Sequence, residues 1–390
     1  MDKVRLAIIG LGNMGGAHLG YLPGVTDAVV TAVCDIEPER TEKFAKQCNA
    51  AAFTSADELL KAKVADAVLI ATPHYDHPPI GIKALETGHH VLVEKPIAVS
   101  VKAARQLNEA AAKHPNLKFG IMYNQRTNPV YQQLRSVIAD GELGEITRVT
   151  WLITDWFRTW SYYASGGWRA TWAGEGGGVL INQCPHNLDL IQWITGMMPS
   201  RITAVGSIGK THPIEVEDEM SAILEYPNGA VGHFVTSTGE APGTNRLEVC
   251  GERGKIVCEN GKLNFTRTRQ NVRDVREKSD HAFASLEQWK VEIPVYGGGP
   301  GSEHEKITRN FLGAILRNTP LLAPGEEGVR GLEIGNAMLL SAMKHRSVEL
   351  PLDGDEYDAL IQELKKTYGG RKTLETKTVV ADMVASSKSF

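Results

Sequence analysis

A short apolar strand running directly into three closely spaced glycines constrains this chain more than any other stretch. Val4-Arg-Leu-Ala-Ile-Ile9 leads into Gly10, Gly12 and Gly15. The order reads as a strand, a tight turn and the start of a helix. Each glycine answers a separate steric demand: one makes the turn, one lets the backbone approach a pyrophosphate, and one lets the helix lie close against the strand. Asn13 and Met14 open that helix, where free N–H groups and the helix dipole favour phosphate.

The next strand, Ala28 to Cys34, ends in Asp35, 20 residues after Gly15. A carboxylate at that separation accepts hydrogen bonds from the ribose hydroxyls of a dinucleotide and repels a 2′-phosphate. NAD is therefore the expected cofactor. Arg40 lies near enough to accommodate a phosphate, so NADP stays possible.

Strands and helices then alternate. Helices are expected over 38–49 and 55–61, a strand over 65–71 ending in Thr72-Pro73, and a helix over 80–87. The strand 89–93 delivers Glu94-Lys95-Pro96, a helix covers 100–114, and the strand 117–123 leads into Asn124. This alternation implies a doubly wound parallel sheet, whose ligands lie beyond the carboxyl ends of its strands. Asp35, Thr72, Lys95 and Asn124 all fall at such ends. From about residue 145 the pattern changes to longer strands with turn signals, among them Asn228-Gly229 between two alternating runs. Helices near 303–317 and 331–344 are expected to brace this second part. The reading is an α/β chain. A Rossmann-type doubly wound parallel sheet occupies residues 1–125, an α+β domain with an open, mostly antiparallel sheet occupies 126–369, and a tail or arm rich in Lys, Thr and Ser occupies 370–390.

Composition narrows the partners. At 390 residues two domains are natural, and a net charge of −4 supplies no attraction for nucleic acid or an anionic membrane. The densest basic stretch, 267–278, is interleaved with Asp274 and Glu277 and reads as a solvated loop or subunit contact. Five cysteines, an odd number without a C-x-x-C pair, argue against a disulfide framework and a zinc site, so no metal is expected. A reducing, cytoplasmic compartment fits them. The N-terminus carries no signal-like apolar region, and no run of about 18 apolar residues is present to span a membrane.

The chemistry is expected in Gly174-Glu-Gly-Gly-Gly-Val-Leu-Ile-Asn-Gln-Cys-Pro-His-Asn-Leu-Asp189. Consecutive glycines permit close backbone approach, and the residues after them are read as entering a helix with Asn182 and His186 on one face. An imidazole suits proton removal from an alcohol near neutral pH, and the Lys95 ammonium would stabilise the developing alkoxide. A histidine hydrogen-bonded under a helix is the plainer reading of His186. Before the glycines, Trp156, Phe157, Trp160, Tyr162, Tyr163, Trp168 and Trp172 crowd together with Arg158 and Arg169. They form either a packing patch between domains or subunits or a platform for a sugar ring, with Tyr163 and Arg169 contacting substrate.

With these motifs the chain resembles the glucose-fructose oxidoreductase, inositol dehydrogenase and rhizopine-catabolism family (Gfo/Idh/MocA). The resemblance rests on the three glycines, Asp35, Thr72-Pro73 with His77, Glu94-Lys95-Pro96, and Gly176-Gly-Gly178 followed by His186-x-x-Asp189. It implies NAD(P)-dependent oxidation of a secondary hydroxyl on a sugar, glycoside or cyclitol such as inositol. Lys95 then matches the catalytic lysine that also helps hold the cofactor, and His186 the acid/base histidine. Trp168-Arg169 would lie near the nicotinamide, Arg126 near the substrate, and the second sheet would bury its face in a homodimer or homotetramer. Two positions depart from the pattern. Asn182 stands where the family's aspartate is usual, leaving an amide that orients rather than charges its neighbours, and His74 stands where Asn is common. The altered site leaves open a glycosidase that oxidises, eliminates and re-reduces. A non-catalytic sugar or NAD sensor is the third reading.

Overall fold

The computed structural model describes residues 2–376. Strands β1 (Val4–Ile9), β2 (Ala28–Cys34), β3 (Ala51–Phe53), β4 (Ala67–Ile70), β5 (His90–Val93) and β6 (Phe119–Ile121) form a six-stranded sheet in the order β3-β2-β1-β4-β5-β6. Every pairing in it is parallel. The order reverses at β1, so a crevice opens above β1 and β4, where doubly wound sheets take their ligands. β4 is buried along its whole length, as a strand covered by helices on both faces must be.

The second sheet has nine strands: β7 (Ile146–Ile153), β8 (Arg201–Ile208), β9 (Glu217–Glu225), β10 (Val231–Ser237), β11 (Asn245–Gly251), β12 (Gly254–Glu259), β13 (Lys262–Thr268), β14 (Gln288–Ile293) and β15 (Val348–Glu349). Their order is β14-β13-β12-β11-β7-β10-β9-β8-β15. β7 and β10 pair in parallel and the other neighbours are antiparallel. The sheet is therefore open and mostly antiparallel, as the turn signals implied. Its inner face alternates with solvent-facing residues: Met220, Ala222 and Leu224 are buried while Ile223 is half-exposed.

Two expectations change. The helix Glu303–Arg317 does not brace the second sheet. Its Ile307, Phe311 and Leu312 join the core of the first sheet with Leu6, Ile8 and Val93. The helix Gly328–Lys344 does the expected work, burying Ile334, Met338 and Leu340 in the core of the second sheet. The chain thus returns to its first half after building the second, a step that no local pattern marks. The basic stretch 267–278 is not simply a loop either: it contains the helix Val272–Lys278, capped by Asn271, whose Oδ1 accepts from the Arg273 and Asp274 main-chain N–H groups. The tail expected over 370–390 lies outside the described residues beyond 376; residues 370–376 are described.

Candidate active site

The glycine turn is built as its spacing demands. Gly10 has φ +91°, and a Cβ there would lie 2.5 Å from the Ala71 carbonyl oxygen; at Gly15 it would lie 2.0 Å from the Gly10 oxygen. A Cβ at Gly12 would meet nothing within 4 Å, so open space stands over the N-terminus of helix Asn13–Tyr21. Asp35 leaves β2 nearly buried, its Oδ2 accepting from the Leu11 N–H at 2.7 Å and its Oδ1 from Arg40 Nη1 at 3.0 Å. The acid therefore fixes the turn and holds Arg40 at the crevice rim.

Beyond the ends of β4 and β6, Thr72 Oγ1 and Asn124 Oδ1 are buried with no hydrogen-bond partner among the described residues. Orphaned acceptors or donors of this kind cost free energy unless a ligand or water meets them. Together with the open space over Gly12 they fit a dinucleotide lying across the crevice. His77 bridges two strand ends, its ring nitrogens 2.7 Å from the Pro96 oxygen and 2.8 Å from the Thr72 oxygen. It thereby places Thr72-Pro73 against Lys95-Pro96 without facing the crevice itself.

Lys95 follows β5, and its Nζ donates to the Asn182 main-chain oxygen at 2.9 Å. Burial lowers its pKa, while the Glu94 and Glu175 carboxylates oppose that loss. Glu94 is buried with Oε1 2.8 Å from His18 Nε2. Burial raises its pKa, but the His18 contact and neighbouring cations bring it down to about 2. His186 occupies the first turn of the buried helix Pro185–Thr195, its ring edge-on to Tyr123. Burial, then Lys95 and His304, depress its pKa well below the usual imidazole value, and the positive end of the helix acts in the same sense. The imidazole is neutral at pH 7 and able to accept a proton. Asn182 lies in the turns before this helix rather than on it, since the helix begins at Pro185.

Gly178 leaves no room for a side chain, since a Cβ would sit 2.0 Å from the Glu217 oxygen. Glu217 Oε1 in turn accepts from the Gly178 and Leu180 N–H groups at 2.9 and 3.2 Å. The glycine run is thus pressed onto β9, which carries Asn182 toward Lys95.

The aromatic stretch divides. Tyr163 and Trp172 are buried in the second core, and the Tyr163 hydroxyl donates to Thr238 Oγ1 at 2.9 Å, so Tyr163 does not face the crevice. Its neighbour Tyr162 does the linking instead, donating to Asn182 Oδ1 at 3.2 Å and accepting from Arg169 Nη1 at 2.8 Å. Arg169 stacks on the Tyr162 and Trp168 rings, and Trp168 lies edge-on to His74. Phe157, Trp160 and Trp168 remain exposed. Arg126, expected at the substrate, is fully buried elsewhere: Nε and Nη2 bind Asp189 at 2.8 and 2.6 Å, and Nη1 binds Glu327 at 2.5 Å. All its charge is spent on carboxylates within the fold.

Three groups escaped sequence reasoning. His18 and His304 meet Glu94 and Asn124, with Asn124 Nδ2 3.2 Å from His304 Nδ1. They come from helices 286 residues apart in the chain, so no spacing announces them. Glu175 sits beside the glycine run and was readable as an acid there, but only folding shows what it touches. Among the described residues no group of three or more His, Cys, Asp and Glu is placed to hold a metal ion, and no helix is long and apolar enough to cross a membrane.

A glycine turn under open space, an acid closing the second strand, and a lysine beside a neutral histidine define a dinucleotide-dependent oxidoreductase. Residues 4–121 match the model of the oxidoreductase family with NAD-binding Rossmann fold, and residues 131–257 match the GFO/IDH/MocA C-terminal domain. The chain belongs to the Gfo/Idh/MocA family. It is 25% identical to levoglucosan dehydrogenase of Pseudarthrobacter phenanthrenivorans, over 90% of this chain and 99% of that one. It is 28% identical to 2,7-anhydro-N-acetylneuraminate hydratase of Escherichia coli, over 89% and 97%. Among solved structures, the WlbA dehydrogenase of Chromobacterium violaceum, in complex with NADH and UDP-GlcNAcA, superposes with a TM-score of 0.77 at 26% identity, covering 90% of this chain and 97% of that one.

Proposed function

We propose that the chain is an NAD-dependent dehydrogenase of a secondary hydroxyl on a sugar or cyclitol, with Lys95 and His186 as its proton-handling pair. The observation that carries this reading is the partly buried Lys95 ammonium, anchored 2.9 Å from the Asn182 oxygen at the strand end beside a neutral His186. The relatives named as levoglucosan and inositol dehydrogenases support the substrate class. When bound, NAD supplies the acceptor for a hydride. The chain's own groups do the rest. Gly10, Gly12, Asn13, Met14 and Gly15 would cradle the pyrophosphate, Asp35 would receive the ribose, and Thr72, Pro73, Asn124, Trp168 and Arg169 would wall the nicotinamide end. His77 braces that wall through the Pro96 and Thr72 oxygens, and Glu94 braces it through His18. His186 takes the hydroxyl proton while Lys95 stabilises the alkoxide. Asn182 holds Lys95 through its main chain.

Absorbance at 340 nm with the protein, NAD and a panel of inositols, free sugars and aryl glycosides tests this reading. NADH accumulating with a sugar or inositol is the expected result. Aglycone released without net NADH would replace it with redox-assisted elimination, a reading favoured by the relative named as a hydratase.

Cofactor choice is a separate prediction. Asp35→Ala removes the repulsion toward a 2′-phosphate and leaves Arg40 free to meet it. The ratio of kcat/KM for NAD over NADP is expected to fall by about tenfold or more, equivalent to roughly 1.4 kcal/mol; an unchanged ratio removes the role. Two further readings complete the proposal. The outward-facing Val205, Ile223 and Val231 of the second sheet, all substantially exposed, support a homo-oligomer that covers this face. All five cysteines are free, which supports a reducing, cytoplasmic setting.

A further inference from the structure

The carboxylate that position 182 lacks is present in the fold, seven residues earlier in the chain. Glu175 is 1% exposed. Its Oε1 accepts a hydrogen bond from Asn182 Nδ2, and its Oε2 accepts from the Ala170 N–H at 2.5 Å. The same Asn182 presents its main-chain oxygen to Lys95 Nζ and its Oδ1 to the Tyr162 hydroxyl. A buried carboxylate, an amide and an ammonium therefore stand in one connected row.

We propose that Glu175 is the positioning residue of this site: it supplies through Asn182 the negative charge and the hydrogen bond that an aspartate at 182 would provide, and so holds Lys95 as an ammonium. The proposal rests on the role given to Lys95 above. Its chemistry follows from burial. An unpaired ammonium in a dry crevice tends to lose its proton, and an anion a few ångströms away opposes that loss. Glu94 on the other side is already committed to His18, which leaves Glu175 as the second anion acting on Lys95.

Other charges face Glu175 from each element around it. Arg169 Nη1 lies 3.7 Å from its Oε1, and Lys372 of the C-terminal segment hydrogen-bonds the Gly166 and Arg169 carbonyls nearby. Glu217 of β9 is a second carboxyl in the same region, its pKa pushed up to about 7 by burial, and Tyr163 flanks it. His74 Nδ1 contacts the Glu175 main-chain oxygen at 2.9 Å; burial depresses the pKa of that imidazole, so it adds no cation. Burial raises the Glu175 pKa above the usual carboxylate value, and Arg169, the hydrogen bonds from Ala170 and Asn182, and Lys95 oppose that rise.

The test separates charge from scaffolding. In Glu175→Gln the new amide meets either the Asn182 amide or the Ala170 N–H donor to donor, and the anion is gone. In the double variant E175Q/N182D the hydrogen bonds are restored, and only the one between positions 175 and 182 reverses its direction. The amide introduced at position 175 accepts from the Ala170 N–H and donates to the carboxylate introduced at position 182, which still accepts from Tyr162. The charge returns to the row. Competitive acetic anhydride labelling of Lys95, read by mass spectrometry across pH, reports the titration of its amine without any substrate. The midpoint is expected to fall by about one pH unit in E175Q, with the pH limb of kcat moving the same way, and to return to the wild-type value in E175Q/N182D. An unmoved midpoint in E175Q overturns the proposal, as does a double variant whose midpoint stays displaced. If E175Q does not fold, the double variant decides, and its failure to fold also overturns the proposal because every hydrogen bond is retained there. Should wild-type protein oxidise no sugar or cyclitol, the dehydrogenase reading falls while the Lys95 titration still decides this one.

Discussion

Lys95→Ala is expected to lower kcat by roughly 10³-fold while leaving the fold and its thermal transition unchanged. The side chain contributes no core packing. Its ammonium donates to the Asn182 oxygen, and its charge lies between the Glu94 and Glu175 carboxylates. Removing it takes away the cation that favours the deprotonated hydroxyl, and nothing nearby replaces it, because Arg169 is already engaged with Tyr162. His186→Ala is expected to cost about 10²- to 10⁴-fold for loss of the proton acceptor. The pH profile adds a sign. A group whose pKa is depressed stays unprotonated to lower pH, so the His186-dependent limb of the oxidation rate should lie below the ordinary imidazole range, because burial and then the Lys95 charge disfavour its cation. Steady-state rates across pH, with circular dichroism as the control for folding, check all three statements. Full activity in either alanine variant would sink the site assignment.

The largest stability effect is expected at Arg126. Its guanidinium is fully buried and joins three distant segments: the turn after β6, Asp189 on the helix Pro185–Thr195, and Glu327 ahead of the helix Gly328–Lys344. Arg126→Met leaves the buried Asp189 carboxylate without its cation, a situation that typically costs about 3–5 kcal/mol, so a loss of that size is expected in urea unfolding. Burial already pushes the Asp189 pKa up against the pull of Arg126, and without the arginine that carboxyl must be protonated or hydrated. Arg126→Met with Asp189→Asn should therefore cost markedly less than the two single changes summed. Strict additivity would mean that the pair is not coupled. A KM change without loss of stability in Arg126→Met would return the residue to the substrate.

Five of the six strands of the first sheet were legible because their rules are local. Strands such as Ala28–Cys34 are short apolar runs bounded by turn residues, and the helix expected over 55–61 is found at Ala56–Ala62, capped by Ser55, which accepts from the Glu58 N–H. β3 at Ala51–Phe53 was not legible, since three residues carry no measurable period. The site was half legible for the same reason. Gly10, Gly12, Gly15, Asp35 and Lys95 sit at positions dictated by strand ends and turn sterics. Tyr163 and Tyr162 are adjacent, and only packing shows that the first enters the core while the second reaches Asn182.

What the sequence determined by itself is the class of chain: a parallel dinucleotide-binding sheet followed by an open, mostly antiparallel one, with a lysine at a strand end and a histidine on a helix expected to meet. These follow from periodicity, glycine sterics and turn chemistry, all of which act within a few residues. Only the tertiary structure decided which charges face which. Arg126 turned inward to Asp189 and Glu327, His304 returned to Asn124 across 180 residues, and Glu175 came to rest on Asn182. The reason is that a buried charge is governed by desolvation and by the partners that reach it, and those partners arrive from segments whose separation in sequence carries no trace of their approach in space.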